Sequence, residues 1–235
     1  MLNFNSYLLT EAEEGDGKLK HIHHAEDRPI FHGAEGFNHA YGALMGSHMH
    51  VQSGAQSNAL TTKYDGSPAV VFGHDPKGKF FVASKSAFNK NPKINYTPED
   101  VDRNHGHAPG LAEKLKHALE HLPKVAPKEG VFQGDLMYSG NDKKEKDHNV
   151  SFTPNTITYT AKGDLADKIK KSKLGVIVHT QYHGKDIKSM HADPHPDLHN
   201  FQHHPDVWHR SANVDTKHIH YSEDAQKEFQ QHMEQ

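Results

Sequence analysis

Runs of apolar and β-branched residues predict a series of strands in the middle of this chain. Two of them, residues 68–73 and 79–86, are joined by a His-Asp-Pro-Lys-Gly segment whose composition is typical of a hairpin turn. Further strand-like runs follow at residues 130–138, 151–160 and 174–182. The segment 141–149 mixes lysines with acids and is predicted to be a solvated loop.

Apolar residues at helical spacing predict the remaining regular structure. The predicted helices cover residues 35–49, 110–122 and 163–173, and a last one begins at Ser222. Thr97-Pro-Glu-Asp100 is a helix-start signal, because threonine caps the first turn and the acids face the positive end of the helix dipole. These elements predict an α+β fold with a central antiparallel sheet flanked by helices. The domains expected are an N-terminal arm (1–19), a main domain (20–185) and a histidine-rich loop with a C-terminal helix (186–235).

Charge and composition exclude several classes of protein. The 235 residues include 27 lysines and arginines against 30 aspartates and glutamates, so no overall field draws the chain to nucleic acid. Cysteine is absent from the sequence, which excludes disulfides and thiolate metal sites and suits a reducing compartment. No apolar run approaches the roughly 18 residues of a membrane span. A cytoplasmic protein without a membrane partner is therefore expected.

Histidine is unusually frequent, with 24 residues. Four pairs have His-x-His spacing, which on a strand places both imidazoles on one face, where they suit Zn²⁺, Cu²⁺ or Ni²⁺. The pairs are His21 with His23, His48 with His50, His105 with His107, and His218 with His220. They are spread over the chain without the cysteine or glutamate spacing of a specific zinc motif. A histidine-rich metal-binding module is thus one alternative, and surface composition is the simpler interpretation.

The candidate chemistry lies in residues 60–73. The centre of this segment, Lys63-Tyr-Asp-Gly-Ser67, places a lysine at the end of a strand-like run and directly before an Asp-Gly turn signal. A lysine held in this way becomes a nucleophile if neighbouring cations or burial lower its pKa. The same pattern is common at hairpins, where the lysine is a solvated edge charge.

The Lys-x-Asp-Gly-Ser pattern resembles the lysine motif of covalent nucleotidyltransferases, the superfamily of RNA ligases, DNA ligases and capping enzymes. It is most similar to the RNA-ligase branch. The resemblance implies a nucleotidyltransferase fold of the ligase-adenylation, ATP-grasp-like type for residues 20–185. It implies that Lys63 attacks the α-phosphate of ATP, expelling pyrophosphate, and that Asp65 orients the lysine. Residues implied to contact the nucleotide are Thr61, Gly66 and Ser67.

Three later residues match positions of the same superfamily. Lys85 lies on a lysine- and serine-bearing run and by the resemblance is close to the phosphates, whereas an exposed edge lysine is the alternative. Asp135 stands where the superfamily usually has a glutamate that contacts the ribose or Mg²⁺. Independently of any resemblance, a carboxylate in an apolar strand needs a cation, a hydroxyl or a metal as partner. Tyr159 resembles the aromatic residue that helps to line the nucleobase site.

Four blocks together are similar to a family of tailed-phage proteins whose longer members resemble RNA ligases. The blocks are the Lys63 run and residues 80–89, 130–138 and 152–180. The resemblance implies ATP and Mg²⁺ as cofactors, RNA or DNA ends as partners and the host cytoplasm as location. The longer members continue into a Glu-Gly-Phe-Val strand and a terminal lysine strand, and this chain shows neither. That departure implies a truncated or split enzyme completed by a partner chain, or a non-catalytic accessory or structural phage protein on the same scaffold.

Overall fold

In a computed structural model of the chain, residues 27–53, 60–185, 187, 189–214 and 221–233 are described. The chain divides into two compact units, of which one is formed by residues 63–212. The other combines the described residues before position 63 with those after position 212. The predicted arm at residues 1–19 lies outside the described residues.

The structure contains both helices and strands, which confirms the predicted α+β class. The strands in chain order are β1 (Ala69–His74), β2 (Phe80–Ala83), β3 (Val131–Ser139), β4 (Lys143–Lys146), β5 (Asn149–Phe152), β6 (Tyr159–Ala161), β7 (Leu174–His183), β8 (His191–Asp193) and β9 (Val207–Ser211). The helices are α1 (Arg28–Ser53), α2 (Pro98–His105), α3 (Pro109–His121), α4 (Gly163–Lys171) and α5 (Glu223–Met233). Within the described residues no helix is both long and apolar enough to cross a bilayer.

The larger unit is built around a sheet with the strand order β2-β1-β3-β7-β8. Neighbouring strands are antiparallel, except that β9 pairs in parallel with β7. The two short strands share one edge of β7, since β9 pairs with its first half and β8 with its end. Both lie beyond position 185, where a loop was expected. The described residues between positions 187 and 212 belong to the larger unit.

Helices α2 and α3 cover one face of this sheet. Their buried residues, including Val101 and Leu115, pack in one cluster with Val70, Phe132 and Val176 from three strands. The expected start of α2 is confirmed, because the Thr97 hydroxyl accepts from the Asp100 amide and the Asp100 carboxylate accepts from the Thr97 amide.

A small sheet with the order β4-β5-β6 and helix α4 pack at one end of the opposite face. Residues 141–149, predicted as a loop, contain β4 and a two-residue turn at Asp147 and His148, whose φ angles of 48° and 66° suit a tight hairpin. The strand predicted at 151–160 is also corrected, because residues 153–158 form a loop between β5 and β6. Phe152 and Ile169 of this layer pack with Met137 and Ile177 of the large sheet.

The smaller unit is described by itself. Its helix α1 is kinked at Gly33, where φ is 56° and ψ is −132°. The His48 ring stacks with both Tyr221 and Phe229, with ring centroids 5.1 and 4.1 Å away, and this contact joins α1 to the segment carrying α5. The strand-like run expected before Lys63 is reduced to one antiparallel bridge, between Thr61 and Asn213.

Candidate functional site

The segment of residues 63–67, hereafter the lysine loop, lies against strand β3. A Cβ atom built on Gly66 would be 2.4 Å from the Cβ of Asp135 and 3.0 Å from the Leu136 carbonyl oxygen. The Ser67 amide donates to that carbonyl at 2.9 Å, and the Leu136 amide donates to the Pro68 carbonyl at 3.0 Å. Only glycine fits this approach, so the loop is held directly over the acidic residue of the strand.

Asp65 is fixed by the loop between β5 and β6. Its carboxylate accepts from the Thr156 hydroxyl at 2.7 Å and from the Asn155 side-chain amide at 3.0 and 3.1 Å. These hydrogen bonds favour the ionised form and lower the pKa of Asp65, with a smaller contribution from the charge of Lys63. The Asp65 carboxylate is thus hydrogen-bonded to Thr156 and Asn155, and the Lys63 ammonium contributes a nearby positive charge.

Lys63 itself is exposed at the start of the lysine loop. An exposed ammonium is accessible to a ligand and to water. It is not the partly buried lysine that the sequence pattern allowed as a nucleophile. On the side of the lysine loop, Asp65 and Gly66 are the anchored positions that follow Lys63.

Tyr159 joins the lysine loop to the small sheet. Its hydroxyl accepts a hydrogen bond from the Asp65 amide at 3.2 Å. The ring is half-buried, stacks on Phe152 with centroids 5.8 Å apart and lies 6.0 Å from the ring of Tyr64. This aromatic group forms one wall beside the loop.

Asp135 faces a histidine on the neighbouring strand. The register of β3 and β7 steps from Gln133 opposite Thr180 to Gly134 opposite Val178, so His179 is an extra, bulged residue. Its Nε2 atom lies 3.7 Å from Asp135 Oδ1, and its Nδ1 atom lies 2.8 Å from the Thr180 hydroxyl. An imidazole thus lies beside this carboxylate on the neighbouring strand.

The structure brings five of the predicted site residues into one connected group. Gly66 contacts Asp135, Ser67 is bonded to β3, and Asp65 is bonded to Tyr159. Lys85 is placed differently from the expectation, because β2 ends at Ala83 and the lysine lies exposed in a 3₁₀ turn capped by Ser84. Thr61 belongs to the smaller unit, where it is exposed and bridges to Asn213.

A family model matches residues 18–235 of the chain, and its description is a family of unknown function, DUF6267. The chain belongs to DUF6267. No curated protein and no solved structure gave a significant match. In this DUF6267 member the case for a function therefore depends on the geometry of its own residues.

Several residues of the site were not identified from the sequence. Asn155, Thr156 and His179 carry the polar contacts of the two aspartates. For His179 the sequence shows only that the buried run of 174–178 ends in polar residues, because the bulge at this histidine depends on the pairing of β7 with β3. The loop residues gave no signal of their own, since Asn and Thr are ordinary turn residues.

Histidines and carboxylates are the main possible metal ligands of this chain, which has no cysteine. No group of three potential metal ligands occurs among the described residues. Of the His-x-His pairs, His105 is buried while His107 is exposed, so these two rings do not form a common ligand face. His21, His23, His218 and His220 lie outside the described residues, as does the side chain of His50. Mg²⁺ commonly needs only one or two carboxylates besides substrate phosphates, and Asp135 provides one.

Proposed function

We propose that the larger unit is an ATP-dependent nucleotidyltransferase of the RNA-ligase-like type, with Lys63 as nucleophile. The observation that carries the proposal is the contact between Gly66 of the lysine loop and Asp135 of β3. Two motifs that resemble superfamily motifs, and that are distant in sequence, thereby meet on one face of the sheet. The pairing of β1 with β3, in which Ala69 lies opposite Asp135, brings the two motifs together, so a plain turn before β1 would make the same contact and only the labelling experiment below separates the two interpretations.

The proposed step forms a bond between Lys63 Nζ and the α-phosphorus of ATP. The bond between that phosphorus and the bridging oxygen breaks, and pyrophosphate leaves with the electron pair. The ammonium loses one proton before attack and a second as the phosphoramide forms. Because Lys63 is exposed, both protons can pass to water. The product is an adenylylated lysine, from which the nucleotide could pass to a nucleic-acid end.

Each neighbour of the lysine has a proposed task. Asp65, held ionised by Thr156 and Asn155, fixes the loop that carries the lysine. Tyr159 offers an aromatic wall and anchors the loop through its hydroxyl. Asp135 would hold Mg²⁺ or the ribose. Bound Mg²⁺ neutralises phosphate charge and positions the leaving group.

Covalent labelling tests this proposal. The chain is incubated with α-labelled ATP and Mg²⁺, and protein-bound label is followed on a denaturing gel. We expect label that is released by acid, as P–N bonds are, and that is absent from Lys63→Ala. The control Lys128→Ala removes another exposed lysine, outside the site, and should label normally. Labelling of Lys63→Ala at the level of the unaltered chain would refute the assignment of the nucleophile.

A non-catalytic scaffold of the same architecture is the second candidate, and the exposure of Lys63 favours it. In that case none of the four nucleoside triphosphates labels the folded chain, and calorimetry detects no ATP binding. If a partner chain completes the enzyme, label appears only when the partner is added.

A further inference from the structure

A polar cavity of about 340 Å³ lies where helix α3 meets the small sheet. Its lining includes two lysines, Lys114 and Lys144, and three hydroxyl residues, Ser151, Thr153 and Thr158. The buried residue Phe152 also belongs to the lining. This volume is within the usual range of small-ligand sites, and no step of the proposed nucleotidyl transfer uses it.

The hydroxyl groups of the cavity retain hydrogen-bonding capacity. Thr153 Oγ1 lies 2.8 Å from Thr158 Oγ1, and Ser151 Oγ lies 2.8 Å from Thr160 Oγ1. Each hydroxyl has one proton and two lone pairs. Within a pair one proton is used in the mutual bond, so the second proton of each pair remains available to an acceptor oxygen. The cavity therefore offers donors, as an anion requires.

The net charge of the side chains that line the cavity is positive, even when the one acid among them is counted. Asp142 is also part of the lining, but its carboxylate accepts from the Ser139 amide at 3.0 Å and lies 3.9 Å from Lys114 Nζ. Lys114 and Lys144 together exceed this single negative charge by one. Lys144 is exposed on β4, so its long side chain can turn towards a bound anion.

We propose that this cavity is a second ligand site, which binds a phosphate group together with the sugar-sized group that carries it. Ammonium groups and hydroxyl donors arranged in a concave site are the chemistry that recognises phosphate oxygens. The phosphate can belong to a small sugar phosphate or to the backbone of a single-stranded nucleic acid. The volume exceeds what a bare phosphate ion needs, which is why an attached group is included.

The cavity is physically connected to the lysine loop. Lys114 Nζ donates to the Ser67 carbonyl at 3.0 Å, and Thr153 begins the loop whose Asn155 and Thr156 hold Asp65. A phosphate bound by Lys114 therefore acts on the attachment at Ser67, and one bound by Thr153 acts on the loop that holds Asp65. The proposal does not require adenylylation, because binding concerns only residues outside Lys63 and Asp135.

Binding is measured by calorimetry with ribose 5-phosphate and with a short oligothymidylate, without ATP and in a Lys63→Ala background. This background separates the result from the fate of the proposed function. We expect saturable binding of at least one probe, weakened about tenfold or more by Lys144→Ala and by the double change Thr153→Val with Thr158→Val. The matched control is Lys146→Ala, which removes the same charge from the same strand outside the cavity.

The outcomes distinguish the two sources of phosphate. Tighter binding of ribose 5-phosphate supports a small-molecule ligand, and tighter, strongly salt-dependent binding of the oligonucleotide supports a backbone ligand. Lack of saturable binding of either probe overturns the proposal. Equal weakening by Lys144→Ala and Lys146→Ala also overturns it, because the attraction would then be non-specific. Circular dichroism verifies that the valine variants are folded.

Discussion

Gly66 lies so close to Asp135 that a Cβ atom on the glycine would be 2.4 Å from the Cβ of the aspartate. The contact joins the lysine loop to the centre of the large sheet. It leaves no space for a side chain, because the Leu136 carbonyl lies only 3.0 Å from the same point. The position of the lysine loop, which begins with Lys63, thus depends on the absence of a side chain at Gly66.

Gly66→Ala should therefore displace the lysine loop. We expect the free energy of unfolding to fall by about 1–3 kcal/mol, as overpacking usually costs, and the covalent labelling to fall with it. Urea denaturation measures the first effect. The control is Gly110→Ala near the start of α3, where an added Cβ meets nothing within 4 Å. This control should stabilise the protein by about 0.5–1 kcal/mol, so a fall in both variants would contradict the steric argument.

Thr156→Val should raise the pKa of Asp65 towards its ordinary value, because the Thr156 hydroxyl is the main group that lowers it. A carboxyl whose pKa is depressed in the folded state stabilises the fold above its unfolded pKa of about 4. That contribution is lost as the pH falls through the folded pKa. The variant should thus lose stability near neutral pH and approach the unaltered chain in acid. Carboxyl NMR titration gives the pKa directly.

The matched control for this titration is Thr160→Val, which removes an exposed hydroxyl of the same small sheet that pairs with Ser151. Its Asp65 titration should be unchanged. An unchanged Asp65 pKa in Thr156→Val would instead show that the hydrogen bond at 2.7 Å does not control the carboxylate.

Asp135→Asn should lower covalent labelling by about 100- to 1000-fold, the usual loss when one preorganised charged group is removed from a reacting centre. The amide has the same shape, so the fold should persist. The matched control is Asp193→Asn, because Asp193 Oδ2 lies 3.4 Å from His183 Nε2, in a comparable carboxylate–imidazole pair on β8 and β7. Equal losses in the two variants would mean that Asp135 has no special part in the reaction.

Short-range chemistry explains what could be predicted from the sequence. The Thr97 capping signal, the helix expected at 110–122 and observed as Pro109–His121, and the strand expected at 130–138 and observed as Val131–Ser139 each depend on neighbouring residues. The fold class followed from these elements. The hydrogen bonds that connect the site could not be predicted in this way. Asp65 bonds residues 90 and 91 positions away, and no local pattern links them.

Edge strands explain most of what was missed in the fold. β8 and β9 are short and lie in a segment rich in proline and histidine, which reads as loop. They become strands because β7 offers a free edge, and β9 is further fixed by Asp206 just before it. The backbone carbonyl of that residue accepts from the Lys173 and Leu174 amides, and its carboxylate accepts from Lys124 at 2.6 Å. Such tertiary contacts override local propensity.

Lys143 is expected to be important for the small sheet, although lysine on a short edge strand is usually a solvated charge. Its ammonium donates to the carbonyls of Ile169 and Lys170 at 2.8 and 3.0 Å and also to that of Ser172. A cation at this position satisfies the open carbonyls at the end of α4 and interacts favourably with the helix dipole. Lys143→Met should lower the free energy of unfolding by about 1–2 kcal/mol, whereas Lys146→Met on the same strand should leave it nearly unchanged. Equal effects would show that the carbonyl contacts contribute little.

The stacking of His48 with Tyr221 and Phe229 can be tested within the smaller unit. Aromatic pairs contribute about 0.5–1.5 kcal/mol beyond the area they bury, so His48→Ala should release the segment 221–233 from α1. We expect faster amide exchange in α5, while the amides of β3 and β7, in the larger unit, keep their protection. Met49→Ala, at an adjacent exposed position of α1, is the control and should not change the exchange of α5. Both aromatic rings of that segment stack on the His48 imidazole. Unchanged exchange in His48→Ala would therefore mean that other contacts hold α5.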